Sequence, residues 1–113
     1  MKPGSDSQGL LLGSLEEQVM LAVVRTAPEA YGMNVRRELE SVTGRDVTIG
    51  SVYATLDRLE AKGLVASSRT PGPDASSRRV FAVTAAGARA LTQTRATRDR
   101  LWLGVKLQRP HNT

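Results

Sequence analysis

The chain of 113 residues has no cysteine and a single histidine, His111, close to its C-terminal end. Without cysteine it can form neither a disulfide nor a thiolate metal site, which agrees with a reducing cytoplasm. One histidine supplies neither a metal-binding cluster nor an acid–base pair, and it leaves a hydrolase triad without a base in the folded part of the chain. We therefore expect no metal, no cofactor and no enzyme activity.

Long apolar runs are also missing. No stretch approaches the ~18 apolar residues that are needed to span a bilayer. The start, MKPGSDSQGLLLGS, is too short and too weakly apolar for a secretory signal. These absences predict a cytoplasmic protein without a membrane partner, and residues 1–12 are expected to form a flexible N-terminal tail.

Acidic and basic residues are unevenly distributed along the chain. Residues 1–60 carry a net charge of −3, whereas residues 61–113 carry a net charge of +8. A basic half favours a polyanion as the partner, with nucleic acid ahead of a membrane surface. Charge alone fits a solvated basic surface equally well, so it does not distinguish a nucleic-acid-binding protein from one whose basic residues only contact water.

Hydrophobic periodicity predicts three helices, a β-hairpin and a final helix. The first helix begins at Ser14, which forms a capping box with Glu17. A second helix follows, and the third begins at the N-cap Thr48 and stops at Gly63. The β-prone runs LVASSRT and RRVFAVT then flank the turn-rich loop PGPDASS. The predicted fold is mainly α with a small hairpin (α+β): a winged helix-turn-helix over residues 13–84, a C-terminal helix over residues 85–107 and a tail over residues 108–113.

The third helix has an exposed face that is small, polar and basic. At 100° per residue, Ile49, Val52, Leu56 and Leu59 lie on one side and predict the buried face. The residues that we predict to contact DNA are Thr48, Gly50, Ser51, Tyr53, Ala54, Thr55, Arg58 and Lys62. Small side chains let the helix backbone approach the major groove, the amides at the helix start suit a phosphate, and Arg58 can reach a guanine edge. The alternative is an ordinary amphipathic helix with a solvated face.

The hairpin carries three further candidate DNA contacts. Arg69 lies on one strand, and Arg78 and Arg79 lie on the other. Strand alternation places Arg79 on the same face as Phe81. Such arginines would form a wing along the phosphate backbone, a contact that positions a protein without reading sequence. The alternative is that they protect the strand edges by their charge.

Four stretches resemble the PadR family of bacterial transcriptional regulators: LGSLEEQVMLAVV, AYGMNVRREL, IGSVYATLDRLEAKGLV and RRVFAVTAAGARAL. The most specific parts are the Tyr31-Gly32 pair and the G-x-V-Y-x-x-L-x-R-L-E-x-x-G-L run over residues 50–64. The resemblance covers residues 12–107, and the short C-terminal region points to the small PadR subfamily. It implies a homodimer, usually a repressor in the bacterial cytoplasm and nucleoid, that binds a pseudo-palindromic operator in double-stranded DNA.

The sequence departs from the family pattern at two places. Ala54 stands where the family often has proline, and alanine is the better helix former. The wing sequence GPDASSRR lacks the glycine- and lysine-rich run that is common in the family, which argues against deep insertion of the wing.

Each of the two tyrosines can either pack in the core or direct its hydroxyl at a phosphate. Packing is favoured for Tyr31, and neither role is favoured for Tyr53.

In the family, the final helix crosses to the other subunit. The residues that we predict at a dimer interface are Leu12, Leu15, Leu91, Arg98, Leu101, Trp102 and Val105. Arg95, Arg98 and Arg100 interrupt the apolar stripe. We therefore expect a polar middle in this interface, where these arginines would pair with the partner's Glu16 or Glu17. Trp102 is predicted to be an interface anchor; its alternative role is to stack on a planar hydrophobic effector, as in some small PadR proteins. Two rival functions therefore remain, a ligand-sensing dimer that releases DNA and a winged helix used only for protein contacts.

Overall fold

The structure, a computed structural model, describes residues 11–70 and 78–108. Within these ranges four helices and two strands follow one another as α1 (Ser14–Thr26), α2 (Gly32–Thr43), α3 (Ile49–Ala61), β1 (Val65–Arg69), β2 (Arg79–Val83) and α4 (Ala85–Trp102). This order confirms the predicted helical fold with a small antiparallel hairpin. Most of the two predicted tails and the centre of the hairpin loop lie outside the described residues.

The local sequence sets the ends of the first three helices. Thr48 caps α3 as predicted, since its Oγ1 accepts a hydrogen bond from a first-turn backbone N–H at 3.0 Å. Gly44 follows α2 with a φ of 70°, a left-handed conformation that glycine adopts without steric cost. Helix α1 begins at Ser14 as predicted, but its capping box lies one residue earlier, because Gly13 is the N-cap and its N–H donates to Glu16 Oε1 at 3.2 Å. Glu16 therefore fills the role that we expected of Glu17.

The apolar core lies between α1, α2, α3 and the hairpin. Its largest fully buried apolar side chains are Phe81, Met20, Leu56, Leu59, Val19, Val23, Val35, Val52 and Val65. Burial of each such side chain contributes roughly 1.5–3 kcal/mol relative to exposure. Because Val52, Leu56 and Leu59 point into this core, the opposite side of α3 faces solvent.

Backbone hydrogen bonds fix the hairpin beside the start of α2. The two strands are antiparallel, with Arg69 opposite Arg79. The N–H of Phe81 also donates to the carbonyl of Ala30 at 3.0 Å, and Tyr31 forms a bridge with the same strand. The strand that carries Arg79 consequently lies beside the segment that enters α2.

Helix α4 packs on the core only along its first half. Its buried positions are Gly87, Ala90 and Thr94, each about one helical turn from the next. The helix ends at Trp102 and not at residue 107 as predicted, because the chain turns at Gly104, which has a φ of 76°. The last turn of α4 and the residues that follow it are exposed.

Candidate nucleic-acid interface

The exposed face of α3 carries small side chains at its start. Gly50, Ser51 and Ala54 are exposed, and no atom outside the helix lies within 4 Å of the position that a Cβ on Gly50 would take. Arg58 is exposed one turn after Ala54 on the same face. A surface of this shape allows the helix backbone to approach a partner closely.

The prediction that Thr55 faces DNA is wrong. Thr55 is 1% exposed, since it lies one turn after Val52 and one turn before Leu59 on the buried side. The prediction centred the buried face of α3 on Ile49, whereas the structure centres it between Val52 and Leu59. Thr55 lies within the buried face when it is centred there. Its Oγ1 accepts a hydrogen bond from Nη2 of Arg58 at 3.3 Å, so Thr55 helps to hold the arginine.

A groove of about 570 Å³ opens between α2, α3 and the hairpin. Its lining is rich in arginine and contains both tyrosines of the chain: Tyr31, Met33, Asn34, Arg37, Tyr53, Arg69, Arg78 and Arg79. We call it the basic groove. Among the described residues, no carboxylate lies within ion-pair distance of Arg37, Arg69 or Arg78. Three arginines without an acidic partner make the groove a site of positive potential.

Arg37 is the one arginine of the groove lining that the sequence patterns did not predict as a DNA contact. It lies three residues after Asn34 on α2, and its Nη1 donates to Asn34 Oδ1 at 3.1 Å. The sequence could have indicated Arg37 as a candidate contact. Asn34 and Arg37 are three residues apart in the helix that begins at the Tyr31-Gly32 pair, so both polar side chains lie on one side of that helix. What the spacing does not reveal is that the hairpin lies against that side.

Both tyrosines are half-buried at the basic groove. The guanidinium carbon of Arg78 lies 4.9 Å from the centre of the Tyr31 ring, a cation–π distance. The Tyr53 ring packs near Phe81, with ring centroids 6.5 Å apart. Both rings therefore have packing roles, and a phosphate contact by either hydroxyl stays a prediction.

Arg79 is not a free cation of the wing. Its Nη2 lies 2.8 Å from Glu60 Oε1 and 3.2 Å from Asp57 Oδ1, both on α3. Its guanidinium carbon lies 4.8 Å from the centre of the Phe81 ring. The sequence placed Arg79 and Phe81 on one strand face correctly, but this face is the one that α3 covers.

Lys62 is also paired within the chain. Its Nζ lies 2.8 Å from Glu16 Oε2 on α1. The hydrogen bond from Lys62 is the largest influence that holds the pKa of Glu16 below its ordinary value, although burial of the carboxylate opposes it. The ammonium group of Lys62 thus links α3 to α1, and a DNA contact by this half-exposed side chain stays a prediction.

The predicted dimer residues fall into two groups. Leu12, Leu15 and Leu91 pack against the core of their own chain and are partly buried there. By contrast, the side chains near the end of α4 are open to solvent: Leu101 is 73% exposed and Trp102 is 56% exposed. The apolar surface that one chain leaves uncovered is thus concentrated at the end of α4.

Arg98 pairs with Glu17 of its own chain, and a pairing across subunits stays a prediction. Its Nη1 donates to both carboxylate oxygens of Glu17 at 2.8 Å, and this bond raises the pKa of Arg98. Close by, the N–H of Leu12 donates to Thr94 Oγ1 at 3.0 Å. Both bonds form because α1 and α4 of one chain are neighbours, and together they tie α4 to the first helix.

The described residues offer neither a metal site nor a membrane span. Within residues 11–70 and 78–108, no cluster of three or more histidine, aspartate or glutamate side chains could hold a metal ion. In the same part of the chain, no helix is both long enough and apolar enough to cross a membrane. What the site does offer is positive charge, aromatic surface and an accessible helix start.

Three helices followed by a two-stranded hairpin, with a basic groove beside the third helix, define a winged helix-turn-helix protein. Residues 20–93 match the Transcriptional regulator PadR-like family. The chain belongs to this family of transcriptional regulators, and the resemblance seen in its motifs is confirmed.

Individual relatives agree with the family assignment. The chain is 41% identical over 73 residues to Transcriptional regulator Rv3488 of Mycobacterium tuberculosis, a match that covers 65% of this chain and 66%, just under two thirds, of that relative. A PadR-like transcription factor from Bacteroides fragilis has the same fold, with a TM-score of 0.69 at 23% identity over 88% of this chain and 92% of the other. Bacillus subtilis PadR, solved in complex with operator DNA, gives a TM-score of 0.61 at 15% identity over 88% of this chain and 52% of the other. At these identities the two structures establish the fold alone.

Proposed function

We propose that the chain is a homodimeric DNA-binding repressor that binds a pseudo-palindromic operator. The observation that supports this most strongly is the exposed small-residue face of α3, which continues to Arg58 on the same helix that lines the basic groove through Tyr53. An α-helix of this kind fits the major groove of B-DNA, which is about 12 Å wide. In that pose, the basic groove meets the phosphate backbone on one side of the helix.

Sequence reading is assigned to α3. Gly50, Ser51 and Ala54 permit a close approach of the helix start to the base pairs, because no bulky side chain stands there. Arg58 carries the guanidinium fork that matches O6 and N7 of guanine with two parallel hydrogen bonds. Its bond to the buried Thr55 limits the directions in which this fork can point.

Phosphate binding is assigned to the basic groove. Arg37, Arg69 and Arg78 have no acidic partner among the described residues and can each neutralise a phosphate. Contact with the Tyr31 ring restricts the positions that the Arg78 guanidinium can take. Contacts to phosphates position a protein on the duplex, and they release counterions, which makes the affinity depend on salt.

Dimerisation is assigned to the end of α4. Leu101 and Trp102 are largely exposed in one chain, and burial against a second copy would remove this apolar surface from water. The bonds that tie α4 to α1 would then hold both copies of α3 in a fixed relation. A two-fold dimer needs such rigidity, since half-sites lie about 34 Å apart, or one turn of DNA.

The exposed indole of Trp102 also supports a second role, in which the dimer senses a planar hydrophobic effector. An aromatic ring flanked by Leu101 and Leu103, both exposed, provides a flat apolar surface on which such a compound can stack. Binding beside the dimer axis would change the relation of the two α3 helices and release DNA. Titration with a planar dye tests this role: quenching of Trp102 fluorescence with loss of DNA binding supports it, and an unchanged signal contradicts it.

Selection of bound fragments from the source genome tests the function and yields the operator. Arg58→Ala is then compared with Lys62→Ala, which removes a cation that is already paired with Glu16. We expect Arg58→Ala to weaken operator binding by about 1–3 kcal/mol and binding to unrelated duplex by much less. Lys62→Ala should leave the ratio of the two affinities unchanged.

Two outcomes would contradict these assignments. If Arg58→Ala weakens both duplexes alike, Arg58 contacts a phosphate and does not read bases. If the wild-type chain enriches no fragment at any salt concentration, the DNA-binding proposal fails, and a winged helix used for protein contacts replaces it.

A further inference from the structure

Two acidic side chains stand at the edge of the proposed DNA-binding surface. The side chain of Asp57, next to Arg58 on α3, is 61% exposed, and that of Glu60 is 37% exposed. Unpaired carboxylates at this place would repel the phosphates of an approaching duplex, because like charges brought together at an interface oppose binding. Both carboxylates are instead paired with one guanidinium, that of Arg79.

The same guanidinium joins α3 to the hairpin. Glu60 accepts from Arg79 of β2 through Oε1 and from Ser67 Oγ of β1 through Oε2, both at 2.8 Å. Arg79 also lies over the Phe81 ring, and its side chain is only 29% exposed. One glutamate and one arginine thus connect both strands of the wing to the helix that is proposed to enter the major groove.

We propose that Arg79 is a positioning residue that masks acidic charge, and that it does not bind phosphate. It neutralises Asp57 and Glu60 and holds the wing against α3, so that the arginines of the basic groove face the DNA backbone without acidic competition. This inference rests on the proposed DNA-binding function. It deepens that function by giving different roles to two neighbouring arginines, Arg79 of β2 and Arg78 immediately before it.

The two roles differ in what can compensate for the loss of Arg79. If Arg79 binds phosphate, its removal loses a contact that no change in α3 restores. If Arg79 masks charge, its removal exposes two carboxylates, and their conversion to amides removes the repulsion. A double-mutant cycle therefore separates the roles.

The experiment measures binding of a short mixed-sequence duplex across a salt series. It uses the full chain as wild type, Arg79→Gln, the pair Asp57→Asn with Glu60→Gln, and the triple combination. Arg79→Gln should bind about tenfold more weakly at low salt, which is the size of a unit-charge interaction at roughly 10 Å near a protein surface. The triple variant should return to within about twofold of wild type, the usual error of additivity, and should keep the wild-type salt slope.

A matched control uses Arg78→Gln, which removes the neighbouring arginine that has no acidic partner in the described chain. The two carboxylate changes should not restore its affinity. If the triple variant stays as weak as Arg79→Gln and its slope falls by about 0.9 for each phosphate lost, Arg79 is a phosphate contact and the inference is overturned.

Thermal melting monitors the fold of every variant. If Arg79→Gln does not fold, the duplex affinity of the triple variant is compared with that of the variant that carries only the two carboxylate changes. An affinity within about twofold of that variant supports masking, and a larger loss of affinity contradicts it. A wild-type chain without salt-dependent duplex binding refutes the proposed function itself, an outcome distinct from a failed rescue.

Discussion

The ring of Tyr53 lies against the backbone of Gly32, so close that a Cβ on Gly32 would overlap the phenol. Gly32 is the first residue of α2, and Tyr53 lies on α3. The contact therefore joins the two most specific motifs of the sequence, the Tyr31-Gly32 pair and the run around Tyr53. It also fixes the relation of α2 and α3 at the basic groove, whose lining includes Tyr53.

Gly32→Ala should displace the Tyr53 ring. The atoms in conflict belong to the far end of a side chain, so the ring can move aside, and we expect a loss of stability of about 1–3 kcal/mol without unfolding. Urea denaturation of Gly32→Ala in the wild-type and Tyr53→Ala backgrounds measures the coupling. The substitution should cost far less when Tyr53 is absent, and an equal cost in both backgrounds would contradict the contact.

Gly87→Ala should be more damaging than the same substitution at Gly50. A Cβ on Gly87 would overlap the backbone carbonyl of Leu64, which cannot move aside as a side chain can. We expect a loss of roughly 3 kcal/mol or more at Gly87, and at Gly50 a gain of up to about 1 kcal/mol from better helix propensity. Unfolding midpoints of the two variants check the order. If Gly87→Ala proved as stable as Gly50→Ala, the close packing of α4 on the segment before β1 would be wrong.

The Glu16–Lys62 pair should make stability depend on pH in the acid range. Because the folded state lowers the pKa of Glu16 from its ordinary value of 4.5, the unfolded chain binds this proton more tightly. The stabilisation is therefore present above pH 4.5 and is lost as the pH falls through the folded pKa. Glu16→Gln should flatten the decline in unfolding free energy below that pH, whereas Glu29→Gln, at an exposed position, should not. Identical pH profiles for wild type and Glu16→Gln would refute this role.

Trp102→Ala should weaken the proposed dimer. Buried aromatic anchors are worth about 2–4 kcal/mol at interfaces, so the variant should dissociate at concentrations at which wild type stays dimeric. Arg89→Ala is the control, since helical spacing places Arg89 on a different side of α4 and its side chain is exposed. Sedimentation over a concentration series distinguishes the variants. A wild type that is monomeric throughout, or a Trp102→Ala dimer as tight as wild type, would remove α4 from the interface.

Local rules predicted the elements well, because their causes lie within a few residues. The N-cap at Thr48, the stop at Gly44 and the buried apolar positions of α3 follow from side-chain chemistry and helical period, although the buried Thr55 was not predicted. The capping box of α1 was wrong by one residue because two glutamates stand in succession, and either Glu16 or Glu17 satisfies the spacing rule.

Side-chain partners were predicted poorly, because they depend on which elements become neighbours. Arg79 meets Asp57 across 22 positions of sequence, and Arg98 meets Glu17 across 81. Nothing in the periodicity of one helix indicates such partners, so the sequence predicts a phosphate contact for Arg79 and not its ion pairs. Arg37 was overlooked for the same reason, since only the docking of the hairpin against α2 brings it beside Arg78.

The central claim is that the basic groove and α3 bind duplex DNA, and the dependence of affinity on salt tests it most directly. If Arg37, Arg69 and Arg78 of both subunits each neutralise one phosphate, the plot of log affinity against log salt should have a slope of about −5. Arg37→Ala should reduce the magnitude of this slope by about 2 for the dimer, although Arg37 lies on α2 and not on α3 or the hairpin. A slope near zero for the wild-type chain, or a slope unaffected by Arg37→Ala, would contradict this account of the site.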